Sequence, residues 1–353
     1  MRTLVTGGAG YIGSHTVREL SRAKESPVVF DSLITGHRES VPGATFVLGD
    51  LSDKALLEQV MVSQSIEAII HFAAFAYVGE SVKDPCKYYL NNVKNTLNLL
   101  EVALKLNVRY FVFSSSCATY GEPDQTPITE EHPQNPINPY GTSKFMVEKI
   151  LSDYSRAYDF NYVSLRYFNA AGADPSGEIG EDHTPETHLL PLTIKAALDL
   201  DKGISGQPDS PGLHVFGRDY PTRDGTCIRD YIHVNDLATA HTLALDYLSC
   251  GNSSNVFNLG NEKGASVLEV INAVQTVTGL KVPFRYSGKR EGDPAILVSS
   301  SKKVRAELGW KPEKGELEEI VQTAWNWHKK NPEGFKDKKA STGTSSLPAG
   351  HGA

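Results

Sequence analysis

Short apolar runs alternate with longer amphipathic stretches through the first half of the chain. "TLVT" (3–6), "VVFD" (28–31), "TFVLGD" (45–50), "AIIHFA" (68–73) and "YFVFSSS" (110–116) are rich in apolar, β-branched and aromatic residues. Such runs suit strands covered on both faces. Between them, "YIGSHTVRELSRA" (11–23), "LLEQVMVS" (56–63) and "YYLNNVKNTLNLLEVALKL" (88–106) have helical spacing. The last carries apolar residues at 93, 97, 100 and 104. Strand–helix–strand alternation predicts an α/β fold built on a doubly wound parallel sheet.

The texture changes after Asn169. "AAGADPSGEIGEDHTPETHLLP" is rich in Gly, Pro and acids and has no strong period, which reads as a long functional loop. Regular patterning returns with "YIHVNDLATAHTLALDYL" (231–248), a strand then a helix. "NVFNLGN" (255–261) is a further strand and "SVLEVINAVQTVTG" a further helix. The pattern predicts a larger, doubly wound α/β domain from residues 1–170 plus a returning segment at about 222–262. Residues 171–221 and 263–333 then form a smaller C-terminal α/β domain, and 334–353 a disordered polar tail.

Composition narrows the function classes. The chain has 353 residues, 40% of them hydrophobic, enough for one large or two modest cores. A net charge of -7 argues against a nucleic-acid surface, and the chain shows no long run of like charge beyond a mainly basic cluster at 336–339. No run of about 18 apolar residues occurs, so no membrane span is expected. The opening "MRTLVTGG" lacks a charged segment followed by an apolar one, so no secretory leader is expected. Four scattered cysteines, Cys86, Cys117, Cys227 and Cys250, exclude a zinc ribbon or a disulfide scaffold. They suit a reducing cytoplasmic setting, and no metal is expected.

"VTGGAGYIG" sets Gly7, Gly10 and Gly13 between the first strand and the first helix. Glycines there let backbone amides approach a pyrophosphate at the positive end of a helix. Asp31 ends the next strand, 18 residues after Gly13. Its carboxylate suits ribose hydroxyls and repels a 2′-phosphate, which favours NAD over NADP. Asp50 is either an adenine contact or the cap of the following helix.

"NPYGTSK" holds Tyr140 and Lys144 four residues apart, with Pro139 where a helix can begin. A nearby cation favours the phenolate and makes a tyrosine usable as a base near neutral pH. Alone, the pair reads as an ordinary helix face. Its chemistry gains weight from "FSSSCATYG", which puts Ser114, Ser115 and Ser116 at the carboxyl edge of the sheet, where open α/β folds bind ligands. Ser116 suits a hydroxyl shared with Tyr140 and a substrate; loop capping is the other reading.

The glycine loop, "IIHFAA", "SVKDPCKYYLNNV", "FSSSCATYGEP", "NPYGTSK", "LRYFNAAGADPSGEIGED", "DGTCIRDYIHVNDLA", "NLGN" and "REGDPA" resemble, in order, the extended short-chain dehydrogenase/reductase family, and within it the nucleotide-sugar 4-epimerases. The resemblance covers about residues 1–330 and implies a Rossmann domain with bound NAD. It implies reversible 4-epimerisation of UDP-galactose and UDP-glucose through a 4-keto intermediate, in galactose metabolism. Tyr140 is then the base, Lys144 its partner at the nicotinamide ribose, and Ser116 the bridge to the sugar 4-hydroxyl. Gly7, Gly10, Tyr11, Ile12, Gly13, Asp31, Asp50, Leu51, Phe72, Ala73, Ala74, Asn91, Ser114 and Phe168 fall at NAD positions. Asn169, His188, Leu189, Phe216, Arg229, Arg290, Asp293 and Leu297 fall where the family holds the UDP-sugar. Helices beginning at Tyr88 and Tyr140 resemble the pair that forms a four-helix interface, implying a homodimer.

Three positions depart from the family pattern. Ala76 stands where some members have a lysine near the cofactor, and His188 where others have an asparagine near the nucleotide. Leu297 falls at a position thought to limit sugar size, where small residues go with N-acetylated sugars and tyrosine with their exclusion. A 4-epimerase for UDP-N-acetylhexosamines or UDP-pentoses therefore stays open. A dehydratase is disfavoured, because Cys117 and Ala118 replace the Asp-Glu pair that removal of water needs. A non-catalytic NAD sensor is disfavoured by the presence of Tyr140, Lys144 and both arginines.

Overall fold

The computed structural model describes residues 1–204, 212–290 and 293–335. Its strands are β1 (Thr3–Thr6), β2 (Val28–Asp31), β3 (Thr45–Leu48), β4 (Ala68–His71), β5 (Tyr110–Ser116), β6 (Asn161–Tyr167), β7 (Asn169–Ala171), β8 (Leu213–Phe216), β9 (Ile228–Arg229), β10 (Tyr231–His233), β11 (Asn255–Leu259), β12 (Ala265–Ser266), β13 (Phe284–Ser287) and β14 (Ile296–Leu297). Its helices are α1 (Tyr11–Arg22), α2 (Lys54–Ser63), α3 (Val78–Lys83), α4 (Pro85–Tyr88), α5 (Asn95–Lys105), α6 (Pro139–Ala157), α7 (Leu189–Asp201), α8 (Val234–Ser249), α9 (Val267–Thr278), α10 (Lys302–Leu308) and α11 (Leu317–Lys330).

Seven strands form one sheet in the order β11-β6-β5-β4-β1-β2-β3, and every neighbouring pair is parallel. Side chains alternate between its faces. Val5, Val29, Ile70 and Val112 enter one core with α1, α8 and α10. Leu4, Val28, Phe30, Ile69, Phe111 and Phe113 enter the other with α2, α5 and α6. This two-sided burial explains why the sequence shows unbroken apolar runs. The strand order reverses between β1 and β4, which opens a crevice beyond their carboxyl ends.

A third core lies under α7, α9 and α11. β8 pairs with β13, while β9 lies between β12 and β14. β7 pairs with β10 and so carries the chain from β6 toward this third core. Residues 302–310 pack elsewhere: Val304, Leu308 and Trp310 join the main-sheet core beside α8.

Several local expectations need correction. β3 is not covered on both faces; as the edge strand it has a single neighbour and leaves Leu48 exposed. The predicted strands 45–50 and 68–73 end at Leu48 and His71. The predicted helix 88–106 is interrupted, with a π-helical stretch at Tyr89–Lys94 between α4 and α5. Gly334 and Phe335 are packed: the Phe335 amide donates to Asp182 at 2.7 Å and its ring lies 4.6 Å from that of Trp327. The rest of the predicted tail, including the basic cluster at 336–339, lies outside the described residues.

Candidate active site

The glycine loop sits at the strand-order reversal. Gly7 has a φ of +70°, which a side chain disfavours, and a Cβ there would meet the Ala73 nitrogen at 2.5 Å. A Cβ on Gly13 would meet the Gly7 carbonyl oxygen at 2.3 Å. Gly10 precedes α1 and offers no side-chain cap, so the N–H groups of the turn holding Tyr11 and Ile12 remain available to an anion. The Tyr11 hydroxyl itself is engaged, donating to the Gly172 carbonyl at 2.6 Å.

Asp31 closes β2 in a buried position. It accepts hydrogen bonds from the Ala9 amide at 2.9 Å and the Leu33 amide at 2.8 Å. Burial raises its carboxyl above the usual range, against the pull of those amides. Asp50 accepts from the Ser52 amide, while Asp53 caps α2 through the Leu56 amide, so the helix-cap reading of Asp50 is wrong. Leu51 is buried beside it. The amides of Phe72 and Ala73 both donate to Thr6 at the end of β1, with Ala74 following. Asn91 lies in the π-helical stretch, where its side-chain amide donates to Asn92.

Tyr140 and Lys144 share a face of α6. Asn138 caps this helix through the Gly141 amide at 2.8 Å, and Pro139 occupies its first position. The Lys144 ammonium donates to the Ser114 carbonyl at 2.7 Å and lies 6.0 Å from the centre of the Tyr140 ring. The Ser116 hydroxyl accepts from the Ala118 amide at 3.1 Å, the capping role, and it is also near enough to Tyr140 to pull the phenol's proton affinity down. The Ser114 hydroxyl is tied to that of Tyr167.

The electrostatics correct one expectation. Lys144 was to lower the proton affinity of Tyr140, but burial dominates and pushes the phenol up to about 12; the hydrogen bond from Ser116 acts in the opposite direction. Burial also lowers Lys144 from 10.5 to about 7, opposed by Glu148. Lys144 points to a carbonyl, and its own charge is costly in the same dry site.

The nucleotide-side candidates are brought together in part. Arg229 pairs with Asp293, and the Arg290 guanidinium lies 3.9 Å from the centre of the Phe216 ring. Leu297 is the ladder partner of Arg229 and, like Cys117, packs against the buried cluster of Tyr120, Ile128 and Phe168. The Asn169 amide donates to the Asp230 carbonyl, holding β7 beside this group. Leu189 opens α7, which packs on β8 below Phe216. His188 turns instead toward Glu181, 2.5 Å away. A surface cavity of about 410 Å³ lined by Arg223, Asn261, Lys263 and Glu269, among others, borders none of these site residues.

The sequence profile of the NAD dependent epimerase/dehydratase family matches residues 3–260, most of the chain. The chain belongs to that family. Among relatives of this epimerase/dehydratase chain, UDP-glucose 4-epimerase of Lacticaseibacillus casei is 51% identical over 339 residues, covering 96% of this chain and all of the relative. A crystal structure of a UDP-glucose 4-epimerase superposes with a TM-score of 0.90 at 49% identity, covering 95% of this chain and all of that one. UDP-glucose 4-epimerase from Bifidobacterium longum, solved in complex with NAD+ and UDP, superposes with a TM-score of 0.87 at 40% identity, with the same coverage.

Sequence reasoning missed the polar frame that holds this family's Tyr-x-x-x-Lys pair in place. Glu148, one further turn along the same face of α6, forms a buried ion pair with Arg166 of β6 at 2.6 Å and accepts from Ser115. Arg166 also donates to Tyr120, which donates to Asn258 of β11. Asn92 accepts from the Phe75 amide and donates to Ser143 of α6. His71 joins Thr6 to Thr96. One signal was available: Glu148 continues the four-residue spacing of Tyr140 and Lys144.

Proposed function

We infer that this protein catalyses the reversible, NAD-dependent 4-epimerisation of UDP-galactose and UDP-glucose, a step of galactose metabolism. The observation that carries the reading is Ser116, Tyr140 and Lys144 meeting at the carboxyl edge of the sheet, next to a glycine cradle that only backbone-close ligands can enter. That cradle, the uncapped start of α1 and the carboxylate of Asp31 fit a dinucleotide with free ribose hydroxyls. When bound, NAD supplies the hydride acceptor and a positive charge near the phenol.

Each residue then has a task. With NAD bound, Tyr140 as its phenolate would accept the proton of the sugar 4-hydroxyl while carbon 4 is oxidised, and would return it when carbon 4 is reduced from the opposite face. Ser116 holds that hydroxyl against Tyr140. Lys144 would position the cofactor ribose, and the positive charge that offsets burial of the phenol would be the one NAD brings when bound. Arg229 and Arg290 suit the diphosphate, with their forked donors, and Asp293 the ribose of the nucleotide. Because hydride leaves and returns, no second substrate is consumed. In this reading the N-terminal 170 residues and the returning segment hold NAD, and the C-terminal α/β region holds the UDP-sugar.

Leu297 favours a second, overlapping specificity. It is smaller than tyrosine and packs against the cluster that holds Phe168, which suits a sugar bulkier than an unsubstituted hexose. Purified protein should convert UDP-galactose to UDP-glucose without added NAD. Assays with UDP-N-acetylgalactosamine and UDP-arabinose define the breadth. Failure to interconvert the UDP-hexoses sinks the reading. Among the described residues no helix is long and apolar enough to cross a membrane, and the reading places the enzyme in the cytoplasm as a homodimer.

A further inference from the structure

Four side chains converge in the long loop that joins β7 to α7. Glu181, His183, Glu186 and His188 bring one donor atom each within 4.8 Å of one another. His188 Nδ1 lies 2.5 Å from Glu181 Oε1 and 3.5 Å from Glu186 Oε1. His183 Nδ1 lies 3.3 Å from Glu181 Oε1 and 3.6 Å from Glu186 Oε2. That nitrogen is buried and makes no hydrogen bond of proper geometry with any of them.

We propose that these four residues form a site for one divalent transition-metal ion, with zinc the best match. Zinc binds imidazole nitrogen and carboxylate oxygen at about 2.0–2.2 Å in a tetrahedron, which sets neighbouring donors roughly 3.3–3.5 Å apart. The 3.3, 3.5 and 3.6 Å separations meet that spacing, while the 2.5 Å pair of His188 Nδ1 and Glu181 Oε1, a hydrogen bond in the metal-free cluster, must open by about 1 Å once both atoms bind one ion. Two neutral imidazoles and two carboxylates carry two negative charges, which one divalent ion cancels in a partly buried setting. Nitrogen ligands select zinc over magnesium and calcium, which prefer all-oxygen sites. No cysteine takes part, so the cysteine spacing that argues against a zinc ribbon does not bear on this set.

The frame around the cluster is built from other contacts. Trp327 donates to the Glu181 carbonyl at 3.1 Å, and Glu186 accepts from the amides of Thr187 and His188. The Tyr11 and Tyr77 rings meet His183 edge-on, each with centroids 6.2 Å away. Four protein ligands close a zinc site, so its role is structural: it fixes the loop between Gly172, held by Tyr11, and Leu189 at the start of α7. That the fixed loop then orders the UDP-sugar end rests on the functional reading above; metal binding does not.

The test uses purified protein with its cofactor retained, stripped of metal by EDTA and dialysed, with no UDP-sugar present. Calorimetric titration with zinc chloride should show one saturable site per chain, and zinc should raise the melting temperature. Cobalt(II) should give the visible absorption of a four-coordinate ion, and excess magnesium should not displace zinc. His183→Ala combined with Glu186→Gln should weaken zinc binding by more than the 10–100-fold typical of losing an outer partner, and should abolish the thermal shift. His183→Gln alone serves if the double variant is unstable in EDTA. Absence of saturable binding to wild type, or binding by a folded variant as tight as wild type, overturns the proposal whatever the outcome of the epimerase assay.

Discussion

The Tyr140 hydroxyl is where a one-atom change should separate chemistry from folding. Tyr140→Phe removes the proton carrier and leaves the ring in place. Turnover of UDP-galactose should fall by about 10²–10⁴-fold, while the melting temperature stays near that of wild type. Near-normal turnover would show that another group moves the proton. Lys144 gives a sharper electrostatic test, because burial lowers it to about 7. Below that pH both folded and unfolded chains hold the proton, and the folded state bears the whole cost of burying the charge. Between pH 7 and about 10.5 the unfolded chain still holds the proton and the folded chain has released it, so this group's contribution to stability rises with pH. Tyr140 is neutral in both states across most of that window. Lys144→Met keeps the packed stem and removes the titration. Melting temperatures without UDP-sugar should favour the variant most at pH 6 and converge toward wild type by pH 9; a constant gap would contradict the lowered amine. At Leu297, tyrosine should lower kcat/KM for UDP-N-acetylgalactosamine far more than for UDP-galactose. Equal loss of both would remove this position as the size limit.

At the scale of elements, α6 depends on more than its catalytic face. Glu148 joins it to β6 through Arg166, and the same carboxylate reaches Ser115 of β5. Glu148→Ala strands a buried guanidinium and should cost about 3–5 kcal/mol, read as a lower denaturant midpoint with unchanged slope. A cost under about 1 kcal/mol would mean that water or Tyr120 compensates Arg166. This frame also marks the limit of what the sequence discloses. The glycine loop, Asp31 and the serines sit at strand ends, so pattern places them, whereas the Tyr–Lys pair, more than twenty residues beyond β5, gained its meaning from the serines and the family resemblance. Arg166, Tyr120 and Asn258 come from separate elements and meet only once β5, β6 and β11 are ordered in the sheet. The π-helical stretch is hidden for a different reason. Apolar positions at 93, 97, 100 and 104 satisfy ordinary helical spacing, while the altered turn is a backbone event that sets Asn91 and Asn92. β3 misleads because its residues resemble those of the central strands, and only the strand order reveals that it is an edge.

For the whole molecule, the homodimer of the proposed reading can be tested at a patch of uncovered apolar surface. Val82 on α3, Leu90 in the π-helical stretch, Leu97 on α5 and Met146 on α6 are all exposed. These elements are packed together or continuous, with α6 against both α3 and the π-helical stretch. In a twofold dimer the same patch serves both partners, so each substitution acts twice across the interface. Leu90→Glu with Met146→Glu places four carboxylates in that interface while touching only exposed positions of the single chain. The pair should convert a dimer to a monomer in sedimentation velocity. Because surface substitutions usually change stability by less than about 0.5 kcal/mol each, the separated chains should still give the far-UV spectrum of the wild type. The active-site groups named above all belong to one chain, so the monomer should keep measurable epimerisation. A wild type that sediments as a monomer at micromolar concentration, or a double variant that stays dimeric, would assign this patch to something other than self-association.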